Sequence, residues 1–158
     1  VLLAIIASLS ILSGAAGAQS VRIQVVDVGQ GDGILVRTPN TRWILIDAGA
    51  TRYLADSLAS QFGVNRLALV IVSHRHSDHF AHIERILRSF TVDRFVGNLA
   101  DCPQRVTDNR IRQALADRNI TAQGVGADTL VVDGVRFIVL PPDPVDDECP
   151  DDENDTRS

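Results

Sequence analysis

All four histidines of this 158-residue chain lie between positions 74 and 82. They fall in Ser73-His74-Arg75-His76-Ser77-Asp78-His79-Phe80-Ala81-His82, directly after the apolar run Leu67 to Val72. Packing alone does not crowd imidazoles in this way, whereas metal binding does. His74 and His76 are two apart, so in extended backbone they project to one side and both imidazoles reach a single ion. Zinc takes such nitrogens at about 2.0–2.1 Å. Asp78 and His79 are adjacent and stand outside that pair's cone, so they suit a second ion. Two ions about 3.5–4 Å apart hold a bridging hydroxide and stabilise both the attacking and the leaving oxygen of a displacement. A purely structural zinc site favours cysteine ligands, and neither Cys102 nor Cys149 is near the cluster. The plain alternative is a solvated polar loop with incidental histidines, and three His with one Asp in six residues weigh against it.

Such a site needs a rigid platform, and an apolar strand that ends in a polar loop leading to a helix supplies one. The run Leu67 to Val72 suits a buried central strand, and Phe80 to Phe90 reads as the helix, with Ile83, Ile86 and Leu87 on one face. Upstream, Arg22 to Val28, Ile34 to Arg37 and Arg42 to Ile46 read as an antiparallel meander with turns at Gly29 to Gly33 and Pro39-Asn40. Arg52 to Gln61 has helical spacing and stops near Gly63. Downstream come a strand at Val92 to Val96, a helix at Thr107 to Arg118 and a strand around Ile120 to Val125. A hairpin follows, Thr129 to Val132 and Val135 to Leu140, about Asp133-Gly134. Mixed strands and helices predict a layered α/β domain with an antiparallel component. Gly29-Gln30-Gly31-Asp32-Gly33 is no dinucleotide fingerprint, because it leads into a hairpin and not a helix. Its glycines allow a tight turn beside the histidines.

Composition is that of an average globular domain, 45% hydrophobic and 22% charged, which excludes a disordered, collagen-like or repetitive chain. The net charge is −5, but eight of the 20 acidic residues lie between Asp143 and Asp155 with no base among them. The acidity is therefore segmental and does not surround the histidines, so it does not repel an anionic substrate. All 15 basic residues are Arg, dispersed without a basic stripe, which gives no nucleic-acid signature by itself. Residues 1–18, VLLAIIASLSILSGAAGA, carry no charge and close on Ala16-Gly17-Ala18, the pattern of a signal peptide and its cleavage site. The other reading is the end of a transmembrane helix, since about 20 apolar residues span a bilayer. Either places residues 19–158 outside the cytoplasm, exported to a periplasmic or extracellular space, and only the second implies a membrane. Cys102 and Cys149 would then meet an oxidising compartment, where spacing leaves a disulfide and two free thiols both open. The lack of Met, and a Pro- and Asp-rich tail that stops inside a loop, point to a processed or partial chain.

His74-x-His76-x-Asp78-His79 after an apolar strand resembles the signature of the metallo-β-lactamase-fold hydrolases. Val26-Asp27-Val28-Gly29-Gln30-Gly31-Asp32 resembles the DVGQGD segment of one branch, the hydrolase domains related to the ComEC-type DNA-uptake protein. Leu45-Ile46-Asp47-Ala48-Gly49 resembles the LIDAG element of that branch, and Asn154-Asp155-Thr156-Arg157-Ser158 its NDxxS segment. The matches run in family order over residues 21–158. The resemblance implies an αββα sandwich of which this chain holds the N-terminal part, truncated at its C-terminal end. It implies that His74 and His76 bind a first zinc ion and Asp78 and His79 a second, with manganese as the other candidate metal. Asp78 would also orient the nucleophilic hydroxide, and Asp47 would steady the ligands from behind. An ordinary Asp-Ala-Gly turn also accounts for Asp47 without the resemblance. His82 stands where the family commonly has glycine, and the direction of a helical side chain three residues after His79 makes it a non-ligand. In the family a later Asp and a further His complete the site, but no His follows His82, so the domain is expected to continue past Ser158.

The expected function is metal-dependent hydrolysis of a phosphodiester, small-molecule or nucleic-acid, in the manner of a phosphodiesterase or nuclease. The branch resemblance, not composition, selects the phosphoester. Hydrolysis of a β-lactam or another ester or amide is the second reading, and the DVGQGD-type segment weighs against it. A non-catalytic domain of a membrane DNA-uptake protein is the third, motivated by the apolar start. No stable protein partner is evident.

Overall fold

The computed structural model of the protein describes residues 20–99, 106–124 and 128–140. Residues 1–18, both cysteines and the Asn154 to Ser158 segment lie outside the described residues, and with them the export, disulfide and NDxxS expectations. Three short apolar strands open the fold: β1 (Arg22–Val25), β2 (Ile34–Arg37) and β3 (Trp43–Ile46). They pair antiparallel in sequence order, as the meander predicts. Helix α1 (Leu54–Phe62) ends at Gly63, whose φ of +65° is the left-handed cap that a residue without a Cβ adopts at least cost. After it come β4 (Arg66–Leu67), β5 (Leu69–Ile71), the single turn α2 (Ser77–Phe80) and α3 (Ile83–Ser89). β6 (Thr91–Val92), β7 (Phe95–Val96), α4 (Val106–Asp117), β8 (Ala122–Gln123), β9 (Asp128–Val132) and β10 (Val135–Val139) complete the described chain.

The main sheet has six strands in the order β1-β2-β3-β5-β7-β8, antiparallel over the first three and parallel from β3 onward. Successive residues of a strand face opposite sides, and the two apolar cores divide accordingly. Leu35, Leu45, Val70 and Phe95 point to one face, where Leu54, Leu58, Ile83, Ile86, Leu87, Ile111 and Leu115 of the helices cover them. Val36, Ile44, Leu69, Ile71 and Val96 point to the other, against Leu130 and Val132 of β9 with Phe137 and Val139 of β10. The layering is therefore helices, sheet and hairpin. The hairpin turns at Asp133-Gly134, both with positive φ (51° and 78°), as a type I′ connection requires.

Three expected elements are subdivided. The strand Leu67 to Val72 is two strands, because β4 pairs with β6 in a small separate sheet while β5 pairs with β3. The strand Val92 to Val96 divides likewise, with Asp93 at the step between the two sheets. The helix Phe80 to Phe90 starts three residues earlier, at Ser77, and breaks at Ala81-His82, where His82 leaves helical geometry (φ −105°, ψ 7°). The first turn has to aim Asp78 and His79 sideways, whereas α3 has to lay Ile83, Ile86 and Leu87 on the core, and one straight helix does not do both. The expected strand to Val28 ends at Val25, although the Val26 N–H still bonds the Gly33 carbonyl at 2.8 Å.

Leu45 is fully buried at the centre of this arrangement. Leu45→Ala is expected to destabilise the fold by about 2–5 kcal/mol in urea unfolding, and a loss under about 1 kcal/mol would contradict the core assignment.

Candidate metal centre

The histidine loop leaves the sheet between β5 and α2, and the residue that organises it comes from the neighbouring strand. Asp47 follows β3, is 2% exposed, and holds a φ of +58°. Left-handed backbone at a non-glycine residue costs about 1–3 kcal/mol and persists only where its surroundings enforce it. Here the Asp47 N–H bonds the Ile71 carbonyl at 2.9 Å. Its Oδ1 accepts the Ser73 N–H at 2.8 Å, and its Oδ2 accepts the Ser73 hydroxyl at 2.6 Å. The same Oδ2 lies 2.9 Å from His79 Nδ1.

These contacts set the tautomer. A carboxylate has no proton to give, so His79 Nδ1 is the donor, which in the neutral ring leaves the lone pair on Nε2. Ser73 has one hydroxyl proton, already given to Asp47, yet its oxygen is 2.9 Å from His74 Nδ1. His74 therefore donates from Nδ1 too, and its Nε2 is also free. Burial lowers the pKa of His74 first, and the nearby His79 and His76 lower it further, against the opposing pull of Asp47 and Asp78. The neutral, ligating form of the ring is thereby favoured.

The rings form one group. His74 and His76 have centroids 4.7 Å apart at 82°, and His79, brought back by the single turn of α2, stands 4.0 Å from His74. Asp78 Oδ2 lies 3.9 Å from His79 Nε2, on the edge away from Asp47. The Gln30 side-chain amide donates to Asp78 Oδ2 at 3.4 Å. Gln30 reaches it because Gly31 rests on the histidine loop: a Cβ at Gly31 would sit 1.7 Å from the Asp78 carbonyl oxygen, and φ there is +83°. The Ala48 N–H to His79 carbonyl bond, 2.8 Å, ties the Asp47 turn to the same loop. His82 is turned elsewhere, its Nε2 donating to the Ala50 carbonyl at 2.9 Å. Ser73 also lines a cavity of about 370 Å³ with Ile46, Ile71 and Phe137, an apolar wall next to the polar cluster.

Of the residues singled out from sequence, His74, His76, Asp78, His79 and Asp47 thus converge. Sequence reasoning missed three that belong with them: Ser73, Gln30 and Asp32. Asp32 Oδ2 is 3.7 Å from His79 Nδ1, and Asp32, Asp47 and His79 offer ligand atoms within 4.8 Å of one another. Its signal was available in the Gly31-Asp32-Gly33 turn, an exposed carboxylate inside the segment that carries the resemblance. Asp47 already accepts three hydrogen bonds, so its place is behind the imidazoles rather than on an ion. Asp32 has free oxygens and the exposure to use them. Imidazole nitrogens and carboxylate oxygens together suit zinc or manganese, so the donor set fits a divalent metal.

The family model described as Metallo-beta-lactamase superfamily matches residues 26–156, and the chain belongs to that superfamily, whose members are typically metal-dependent hydrolases. It is similar to ComE operon protein 3 of Bacillus subtilis (strain 168), 26% identical over 148 residues, covering 78% of this chain and 18% of that protein. The chain thus spans less than a fifth of the length of this relative. Among solved structures it is similar to a diphosphatase from the PhnP family, with 15% identity and a TM-score of 0.47 over 68% of this chain and 42% of that one. The metallo-beta-lactamase fold protein YhfI from Bacillus subtilis compares at 20% identity and a TM-score of 0.48 over 65% and 42% of the two chains. Among the described residues no helix is long and apolar enough to cross a membrane.

Asp47→Ala removes the acceptor that holds His79 directly and His74 through Ser73. Zinc affinity, read by calorimetry, is expected to fall by about 10–100-fold. Unchanged affinity in a folded variant would show that Asp47 does not position the ligands.

Proposed function

We propose that the protein is a metal-dependent hydrolase of phosphodiesters whose ions are held by His74, His76, Asp78 and His79. The observation that carries this reading is the Asp47 carboxylate, which orders two imidazoles with their Nε2 lone pairs free while Asp78 stands beside one of them. Divalent ions held by these residues would supply Lewis acidity toward the phosphoryl oxygens and would lower the pKa of an attacking water. The Asp78 carboxylate, steadied by the Gln30 amide, accepts a hydrogen bond from that water and orients it for attack. His79 and His74 are kept from rotating by Asp47 and Ser73, so the ligand geometry costs little to assemble. The apolar cavity beside Ser73 gives the organic part of an ester a place outside water. The choice of a phosphoester rests on the resemblance carried by the Val26 to Asp32 segment. Zinc is the favoured ion on its preference for imidazole, with manganese the alternative. Export, on the pattern of residues 1–18, is part of the same proposal.

Full-length protein supplied with zinc or manganese is expected to hydrolyse bis(p-nitrophenyl) phosphate. His76→Ala should bring the rate to background, and Asp78→Asn should lower kcat by about 10²–10⁴-fold. Absence of turnover with both metals, or a His76→Ala protein as active as the parent, would overturn the reading. Cleavage of a chromogenic cephalosporin in place of the phosphodiester would move the assignment to amide hydrolysis.

A further inference from the structure

Three arginines meet at the end of β3 remote from the histidines. That strand begins at Trp43 and delivers Asp47 to the centre, so at about 3.3 Å per residue Trp43 and Asp47 are about 13 Å apart. Around Trp43, Arg37, Arg42 and Arg66 line a cleft of about 350 Å³ with Asn40, Asn65 and Asp93. Asp93 accepts from Arg66 Nε at 2.8 Å and lies 3.6 Å from Arg42, while Asp133 lies 3.8 Å from Arg42. Two carboxylates thus face three guanidiniums, and the cleft keeps an excess of positive charge.

Arg37 is the least satisfied of the three. Its guanidinium stacks on Trp43, its cross-strand partner, at 5.0 Å, and its Nε is buried without a hydrogen-bond partner among the described residues. A buried cationic donor left unpaired is unfavourable, and an acceptor entering the cleft removes that penalty. The walls are already set. The Thr38 hydroxyl donates to Asp133 at 2.6 Å and accepts the Arg42 N–H at 3.0 Å, and Thr41 holds a φ of +66° in the same turn. Little order remains to be imposed when a ligand arrives.

We propose that this cleft binds the phosphate group of a ligand, separately from the histidine centre. Guanidinium forks match phosphate oxygens two at a time. A tetrahedral anion uses donors from several sides of a cleft, whereas a carboxylate is satisfied by a single fork. The phosphate comes either from a small phosphate compound or from a nucleic-acid strand, and the two differ in how binding scales with length.

Trp43 is the only tryptophan of these 158 residues, and the emission change that Trp43→Phe abolishes reads this cleft. Full-length protein is titrated with inorganic phosphate and with oligothymidylates of increasing length. A saturable change is expected, weakened about tenfold or more in Arg37→Gln and in Arg66→Gln. Arg66 is largely exposed, so its variant keeps the test decisive if Arg37→Gln does not fold. Equal affinity per phosphate for both probes supports a small phosphate ligand. Affinity that rises with strand length and falls steeply with salt supports a nucleic-acid strand. No saturable change, a change untouched in both variants, or one reproduced by sodium chloride at equal ionic strength overturns the proposal.

Discussion

One buried carboxylate sets the terms for the histidine loop. Asp47 is out of water and in left-handed backbone, two costs that an unpaired group would not survive. Three donors offset them: the Ser73 N–H, the Ser73 hydroxyl and His79 Nδ1. Because the hydroxyl spends its proton on Asp47, the oxygen it belongs to accepts from His74, and one acid governs two rings. This coupling is a product of strand register. Ile46 pairs with Ile71 across the parallel β3–β5 ladder, so Asp47, one residue past β3, and Ser73, two residues past β5, come out side by side.

The rest of the sheet keeps that register in place. Leu69, Val70 and Ile71 alternate between the two apolar cores, so a slip of one residue along β5 would expose each core to the wrong side chains. The loop over the site is held by a different device. Gly31 touches the Asp78 backbone so closely that no side chain fits, which brings Gln30 to Asp78 and Asp32 toward His79. Sheet and loop thus both reach His79, the sheet through Asp47 and the loop through Asp32. The arginine cleft lies at the far end of β3, fixed by the Thr38 turn and not by these contacts.

Much of this is legible in the amino-acid order. The Asp133-Gly134 turn, the Gly63 cap and the three-strand meander follow from local rules, since positive φ and alternating apolar residues have few other uses. The ligand cluster is legible because its residues are close in sequence and chemically unusual. What escapes depends on distant contacts. The division of Leu67 to Val72 into two strands arises from β6, a partner 25 residues downstream in the Leu67–Val92 pair. The break before α3 serves a compromise between site and core that no helical pattern announces. Ser73 and Gln30 are common polar residues, and only their placement against Asp47 and Asp78 gives them a role.

The most direct test of the central claim is the tautomer of His74 and His79, read from imidazole nitrogen shifts and two-bond couplings in the metal-free protein. The account predicts the proton on Nδ1 and a bare Nε2 in both rings. A proton on Nε2 of either ring would break the chain from Asp47 through Ser73 to the histidines and contradict it.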